Sequence, residues 1–124
     1  MADPGKQARQ TIIIVSWNTM AMTARCLRSL EGERGRGAAG DFQVIVVDNA
    51  STDGSVAMVR RDFPWVRLMA NAQNRGFARA NNQAIEASAS ELVLLMNSDT
   101  EVQPGVVRAL VTFMDEHRRA GAAG

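Results

Sequence analysis

Asn97, Asp99 and Glu101 stand two residues apart, directly after the uninterrupted apolar run Leu92-Val93-Leu94-Leu95-Met96. Oxygen-bearing side chains packed so closely at the end of an apolar run are placed to hold a cation or a polar ligand. The same pattern occurs twice earlier. Thr11-Ile12-Ile13-Ile14-Val15 runs into Ser16-Trp17-Asn18, and Phe42-Gln43-Val44-Ile45-Val46-Val47 runs into Asp48-Asn49. A weaker run, Trp65-Val66-Arg67-Leu68-Met69, is followed by Asn71, Gln73 and Asn74.

The elements that must position these groups follow from periodicity. Short apolar runs bounded by polar residues read as strands near residues 11–16, 42–48, 65–69 and 91–96, and the last should be buried on both faces. The segments between them have helical period. A first helix is expected from about Thr19 to Leu30, capped by Asn18 or Thr19, with Met22, Cys26, Leu27 and Leu30 facing the sheet. A second runs from the turn Ser51-Thr52-Asp53-Gly54-Ser55 to about Asp62, before Pro64. A third opens near Gly76 and reaches about Ser88, with Phe77, Asn81, Ala84, Ile85 and Ser88 inward. The fourth starts at Pro104 and turns Val107, Leu110, Val111 and Met114 inward.

Strand and helix alternate throughout, the pattern of an α/β fold: an open, Rossmann-like parallel sheet with helices on both faces. Right-handed crossovers that build outward from the first strand and then reverse predict the order 3-2-1-4. Ligands of such sheets bind at the carboxyl ends of the strands where the order reverses, so the clusters at Ser16 to Asn18, Asp48, and Asn97 to Asp99 converge on one crevice.

Composition bounds the alternatives. With 124 residues, 46% hydrophobic, the chain reads as one domain with ample core. We expect a flexible lead-in over residues 1–10, the folded portion over 11–118 and a frayed tail over 119–124. A net charge of +1 from 14 basic and 13 acidic residues gives no nucleic-acid stripe and no polybasic membrane patch. Lys6, the only lysine, lies in the lead-in, which removes Schiff-base or phosphate-cradling lysine chemistry from the folded part. Cys26 has no partner for an internal disulfide and reads as a buried structural thiol; the expected compartment is the cytoplasm, or the inner face of the membrane as a peripheral protein. His117 reads as a solvated helix-end residue. The loop carrying Gly32, Gly35, Gly37 and Gly40, with Arg34 and Arg36, reads as a surface connection.

Several chemistries are unsupported by the loops. There is no G-x-G-x-x-G after the first strand, no P-loop sequence, no acidic pair as in a phosphoacceptor domain and no G-x-S-x-G elbow. What remains is a pocket with two aspartates on separate strand ends and amides beside them. Hard oxygen ligands suit Mg2+ or Mn2+, which commonly bind through one or two carboxylates plus substrate phosphates, so a nucleoside diphosphate with a bridging metal would fit. Equally, Asp99 and Glu101 could simply start a turn and complement the helix opening at Pro104.

Four motifs extend the argument. Val-Ser-Trp-Asn at 15–18, Val-Val-Asp-Asn-Ala-Ser-Thr-Asp-Gly-Ser at 46–55, Asn-Arg-Gly-Phe-Ala-Arg-Ala-Asn-Asn at 74–82 and Leu-Leu-Met-Asn-Ser-Asp-Thr-Glu-Val at 94–102 stand in the order seen in family 2 glycosyltransferases. The chain resembles the rhamnosyltransferase-like branch from about Thr11 to His117. The resemblance implies the nucleotide-binding portion of a GT-A fold, a UDP- or dTDP-linked sugar as donor, a divalent metal, and inverting transfer of a hexose to a saccharide or lipid-linked acceptor in polysaccharide biosynthesis. By motif, Ser16 and Asn18 line the nucleotide pocket and Asp48 binds the base or ribose. Asn74 and Gly76 fall in the segment that closes over the nucleotide, where glycine permits close backbone approach. Asp99 matches the last acidic residue of the D-x-D signature and is the metal ligand. Asn97 departs from the strict form; its amide can bond a ribose or phosphate but coordinates metal less well.

Each residue also has a purely structural reading. Asp48 could cap its turn, Asp53 reads better as an N-cap than as a contact, Trp17 could stack on a base or merely pack, and Asn81 is expected to satisfy nearby backbone groups. The family continues past the D-x-D region into an acceptor-binding half that carries the catalytic base, and no matching position here corresponds to that base. The chain alone is therefore expected to transfer no sugar and to form a homodimer or associate with another chain, because an unpaired apolar edge strand is a template for association. The alternative is a non-catalytic nucleotide-sugar binding module, or an assembly subunit, completed by a partner chain.

Overall fold

The computed structural model describes residues 9–34 and 42–123. Lys6, and Arg36 with most of the glycine-rich loop, lie outside the described residues. Four strands alternate with four helices: β1 (Gln10–Ser16), α1 (Met20–Glu31), β2 (Phe42–Asp48), α2 (Ser55–Asp62), β3 (Arg67–Ala70), α3 (Phe77–Ala87), β4 (Leu92–Asn97) and α4 (Val106–Glu116). The sheet is parallel throughout, in the order β3-β2-β1-β4 that the alternation predicted.

β1 and β2 form the centre because their consecutive β-branched residues favour extended backbone and can be buried on both sides. Ile12, Ile14, Val44 and Val46 pack against Cys26, Leu27 and Leu30 of α1, Met58 and Val59 of α2, and Val107 of α4. Ile13, Ile45 and Val47 point the other way, onto Ala80 and Ala84 of α3. Three helices thus cover one face and α3 alone covers the other, the arrangement expected when the crossover direction reverses between β3 and β4. Ser16 stands opposite Asp48 and Val15 opposite Asn97, so β1, β2 and β4 finish nearly level.

Several expectations are corrected. β4 is not buried on both faces: Leu92, Leu94 and Met96 are half-buried, whereas Val93 is 39% and Leu95 49% exposed. α3 packs over β1 and β2, one strand away, and apolar sequence records what a strand can bury rather than what lies over it. Met22 points outward and Thr23 takes its place against the sheet. On α3, Phe77 and Ile85 are exposed, and the inward stripe is Ala80, Asn81, Ala84 and Ser88. Small residues let this helix approach the sheet closely, which rotates the larger ones outward.

α4 begins at Val106 rather than Pro104, because Gly105 adopts a left-handed conformation (φ 85°) just before it. Only Val107 is fully buried on α4; Leu110, Val111 and Met114 line a groove of about 730 Å³ beside Leu92 to Leu95. β3 starts at Arg67 rather than Trp65, since the Val66 N–H is taken by the Phe63 carbonyl in a turn. His117 follows α4, its ring stacked on Phe113 with centroids 4.0 Å apart.

Candidate functional site

The end of β1 is stitched to its surroundings by hydroxyl groups. Ser16 is buried, and its Oγ lies 3.2 Å from Thr19 Oγ1 and 3.0 Å from Thr23 Oγ1. Thr19 Oγ1 in turn donates to Ser98 Oγ at 3.1 Å. This chain ties β1, the first turn of α1 and the loop after β4 together, so the Ser16 hydroxyl is enclosed among other hydroxyls rather than presented to solvent. Asn18 does not cap α1. It adopts φ 51°, a conformation asparagine tolerates, and joins the neighbouring loop: its N–H donates to Ser51 Oγ at 2.8 Å and its Oδ1 accepts from the Thr52 N–H at 2.8 Å. Trp17 between them is 54% exposed.

Asp48 closes β2 with a buried carboxylate. One oxygen accepts the Ser51 N–H at 2.8 Å and the other the Ser51 hydroxyl at 2.7 Å, which holds a tight turn in which Ala50 has φ 66°. The turn-capping role is therefore real. It does not exhaust the group, because an ionised carboxylate offers about four acceptor positions. Asp53 is a cap, and for two helices at once: Oδ1 accepts the Ser55 N–H and Oδ2 the Met20 N–H, each at 3.0 Å. The Ser55 hydroxyl, helped by these amides, holds the Asp53 carboxyl below the usual carboxylate range.

On the other side of the sheet, Asn74 Oδ1 accepts the Gly76 N–H at 2.8 Å. Gly76 has φ 82° and ψ 171°, which L side chains rarely adopt, while nothing lies within 4 Å of the place a Cβ would occupy. Backbone conformation rather than crowding demands glycine, and the space beside it is open. Asn49, which the sequence reading passed over, is buried and reaches this segment with both ends of its amide. The signal was present: a polar residue following Asp48 at the end of an almost wholly apolar strand needs partners of its own. Asn81 donates to the Phe77 carbonyl at 3.1 Å, the backbone-satisfying role expected of it.

The β4 end supplies further exposed polar groups. Asn97 is exposed, and its carbonyl accepts the Thr100 N–H at 3.1 Å to form a turn. Glu101 is paired with Arg25 at 3.6 Å. The Asp99 carboxylate is exposed and makes no hydrogen bond or ion pair among the described residues. Asp99 and Glu101 are close enough to add to the effect of burial on Cys26, whose thiol is pushed up to about 11, chiefly by desolvation.

Among the described residues, no three or more acidic, histidine or cysteine side chains are grouped to hold a metal. A dedicated protein cage is therefore not what this loop offers. One free carboxylate with an amide beside it fits a Mg2+ or Mn2+ ion that takes its other ligands from a diphosphate and water.

The family model for glycosyl transferase family 2 matches residues 11–124. Succinoglycan biosynthesis protein ExoO of Rhizobium meliloti is 30% identical over 115 residues, covering 92% of this chain and 30% of ExoO. An N-acetylglucosaminyl-diphospho-decaprenol L-rhamnosyltransferase of Mycobacterium tuberculosis is 32% identical over 92 residues, covering 65% of this chain and 30% of the enzyme. Among solved structures, TarS from S. aureus superposes with a TM-score of 0.76 at 24% identity, covering 89% of this chain and 33% of the other. The mannosyltransferase PcManGT from Pyrobaculum calidifontis, in complex with GDP-Man and Mn2+, gives 0.72 at 28% identity, covering 90% and 34%. The chain thus spans about a third of the length of these proteins. With its motifs in order, its sheet in the order β3-β2-β1-β4 and its helices placed as in these GT-A structures, the chain belongs to glycosyl transferase family 2.

Proposed function

We propose that residues 11–118 form the donor-binding portion of a glycosyltransferase that takes a UDP- or dTDP-linked sugar with Mg2+ or Mn2+, for transfer of a hexose such as rhamnose to a saccharide or lipid-linked acceptor with inversion. The observation that carries this reading is the level termination of three parallel strands, with buried Asp48 on one side and on the other the Asp99 carboxylate, unpartnered among the described residues. Asp48, with spare acceptor positions in a rigid turn, suits the N–H or hydroxyl donors of a base or ribose. Asn18 locks that turn against β1, and the open space beside Gly76 leaves room for close approach of the ligand. Asn97 can donate to a phosphate or ribose oxygen. Asp99 would hold the metal, and neutralisation of the diphosphate charge is the chemistry a divalent cation supplies there.

Two likenesses support a nucleotide-sugar donor, and the first a divalent metal: PcManGT holds GDP-Man and Mn2+, and a TarS structure at 25% identity holds UDP-GlcNAc. The rhamnosyltransferase relative favours a deoxyhexose donor and a lipid-linked acceptor. A single buried thiol suits the reducing cytoplasm, where we place the protein. No residue of the crevice matches the family's base, so transfer by the purified chain alone is not expected. The exposed Val93 and Leu95 and the outer edge of β4 are the surfaces through which we expect it to self-associate.

Titration calorimetry with UDP and dTDP, in Mn2+, Mg2+ or chelator, tests the reading. Binding should tighten with metal. Asp99→Asn should abolish most of that difference, and Asp48→Ala should weaken nucleoside binding with or without metal. Equal affinity in metal and chelator would remove the metal from the proposal, and identical losses in both variants would contradict the assigned roles.

A further inference from the structure

We propose that Asn49 is a positioning residue that holds the segment from Asn71 to Gly76 against the crevice and thereby sets the affinity for the nucleoside diphosphate; this rests on the donor-binding reading above. Asn49 is 2% exposed, and its N–H donates to the Ser16 carbonyl at 2.9 Å, which fixes its backbone at the end of the central strand pair. Its side chain then spans the whole segment. Oδ1 accepts from Asn71 Nδ2 at 3.1 Å and from the Arg75 N–H at 3.3 Å, while Nδ2 donates to the Gly76 carbonyl at 3.1 Å. Asn71 is braced from behind by Gln83 of α3 through a reciprocal amide pair at 3.0 and 2.9 Å.

The chemistry requires an amide. An aspartate could keep the two bonds to Oδ1 but has no donor for Gly76, and an apolar isostere has neither donor nor acceptor. Residues 71–76 belong to no helix or strand; beyond the Asn71 N–H donated to the Asp48 carbonyl at 2.9 Å and the Asx turn at Asn74, their conformation depends on such side-chain bonds. Adjacent side chains at a strand end point to opposite faces. Asp48 accordingly holds the loop through Ser51 while Asn49 holds the segment through Gly76, and both walls of the crevice hang from one dipeptide. Without Asn49, the segment would have to be ordered at the moment of binding, and the affinity would fall by that amount although Asn49 itself touches no ligand.

The test uses the full chain, with UDP and dTDP titrated in the presence of Mn2+ well below the melting temperature, together with amide hydrogen exchange of the unliganded protein. Asn49→Ala should weaken nucleotide binding about tenfold, the scale of one or two lost hydrogen bonds, and should release protection of the Arg75 amide. Asn49→Asp should retain that protection and lose affinity by a smaller factor. A residue that merely supported the fold would lower the melting temperature and leave the affinity of the folded protein unchanged, and that result overturns the inference. Should Asn49→Ala fail to fold, Asn49→Asp decides: affinity equal to that of the native chain overturns it. If the native chain binds neither nucleotide, the donor-binding reading falls and this inference with it, whereas native binding with unaltered variants sinks the inference alone.

Discussion

Replacing Asp53 with alanine removes one carboxylate from two helix starts. Thr19 and Gly54 occupy the N-cap positions of α1 and α2, and neither contributes a side-chain cap; the Met20 and Ser55 amides are served by Asp53 instead. Loss of an N-cap to alanine costs about 0.5–2 kcal/mol, a range that already contains much of the dipole attraction for a negative charge. Asp53 is exposed, so the lower part of that range applies to each helix, and the two together amount to roughly 1–2 kcal/mol. An unfolding entropy of about 2.1 cal/mol/K per residue, over on the order of 110 residues, converts this to a fall in Tm of about 4–9 °C. The pH dependence supplies an independent check. The folded-state pKa of Asp53 lies below its ordinary value, so its contribution is fully present above the unfolded carboxylate pKa of about 3.9 and is lost as pH falls through the lower folded value. The gap in Tm between the native chain and Asp53→Ala, followed by circular dichroism, should be full at pH 7 and 5 and shrink below about pH 4. Asp53→Asn keeps one acceptor oxygen and should fall between the two. A Tm for Asp53→Ala within about 2 °C of the native value at pH 7 would refute the double-cap argument, as would a gap that does not narrow in acid.

Cys26, with its thiol pushed up to about 11 by burial and by the charges of Asp99 and Glu101, should react with thiol reagents at pH 8 far more slowly in the folded chain than in urea. Equal rates in the two states would show that the thiol is neither buried nor suppressed. Leu95 is half exposed on the side of β4 that α3 leaves open, so Leu95→Lys should reduce self-association in light scattering at micromolar concentration with Tm unchanged. A strictly monomeric mass for the native chain would defeat the association claim.

The order of the elements was legible because its causes are local. Ile12 to Ile14 and Val44 to Val47 are apolar at successive positions, which suits a strand covered on both sides, and the handedness of crossovers then leaves few ways to lay four such strands side by side. That polar groups gather at one edge of the sheet follows from the same grammar, since Ser16, Asp48 and Asn97 each stand where an apolar run ends. Partner choice was not legible. Nothing in the spacing distinguishes Asp99, left free among the described residues, from Glu101, taken by Arg25, or shows that the Ser16 hydroxyl is spent on Thr19 and Thr23.

What the amino-acid sequence determined by itself is therefore the alternation of strands and helices, the parallel order and the end of the sheet at which the polar groups gather. These depend on periodicity and backbone chirality, which every residue expresses through its near neighbours. Tertiary structure alone decided that Asn49 binds a segment more than twenty residues away and that Asp53 serves α1 as well as α2. It also decided that Val93 and Leu95 lie beyond the cover of α3. A hydrogen bond or a buried contact is set by distances of a few ångströms between groups remote in the chain, and those distances exist only after the helices have docked on the sheet.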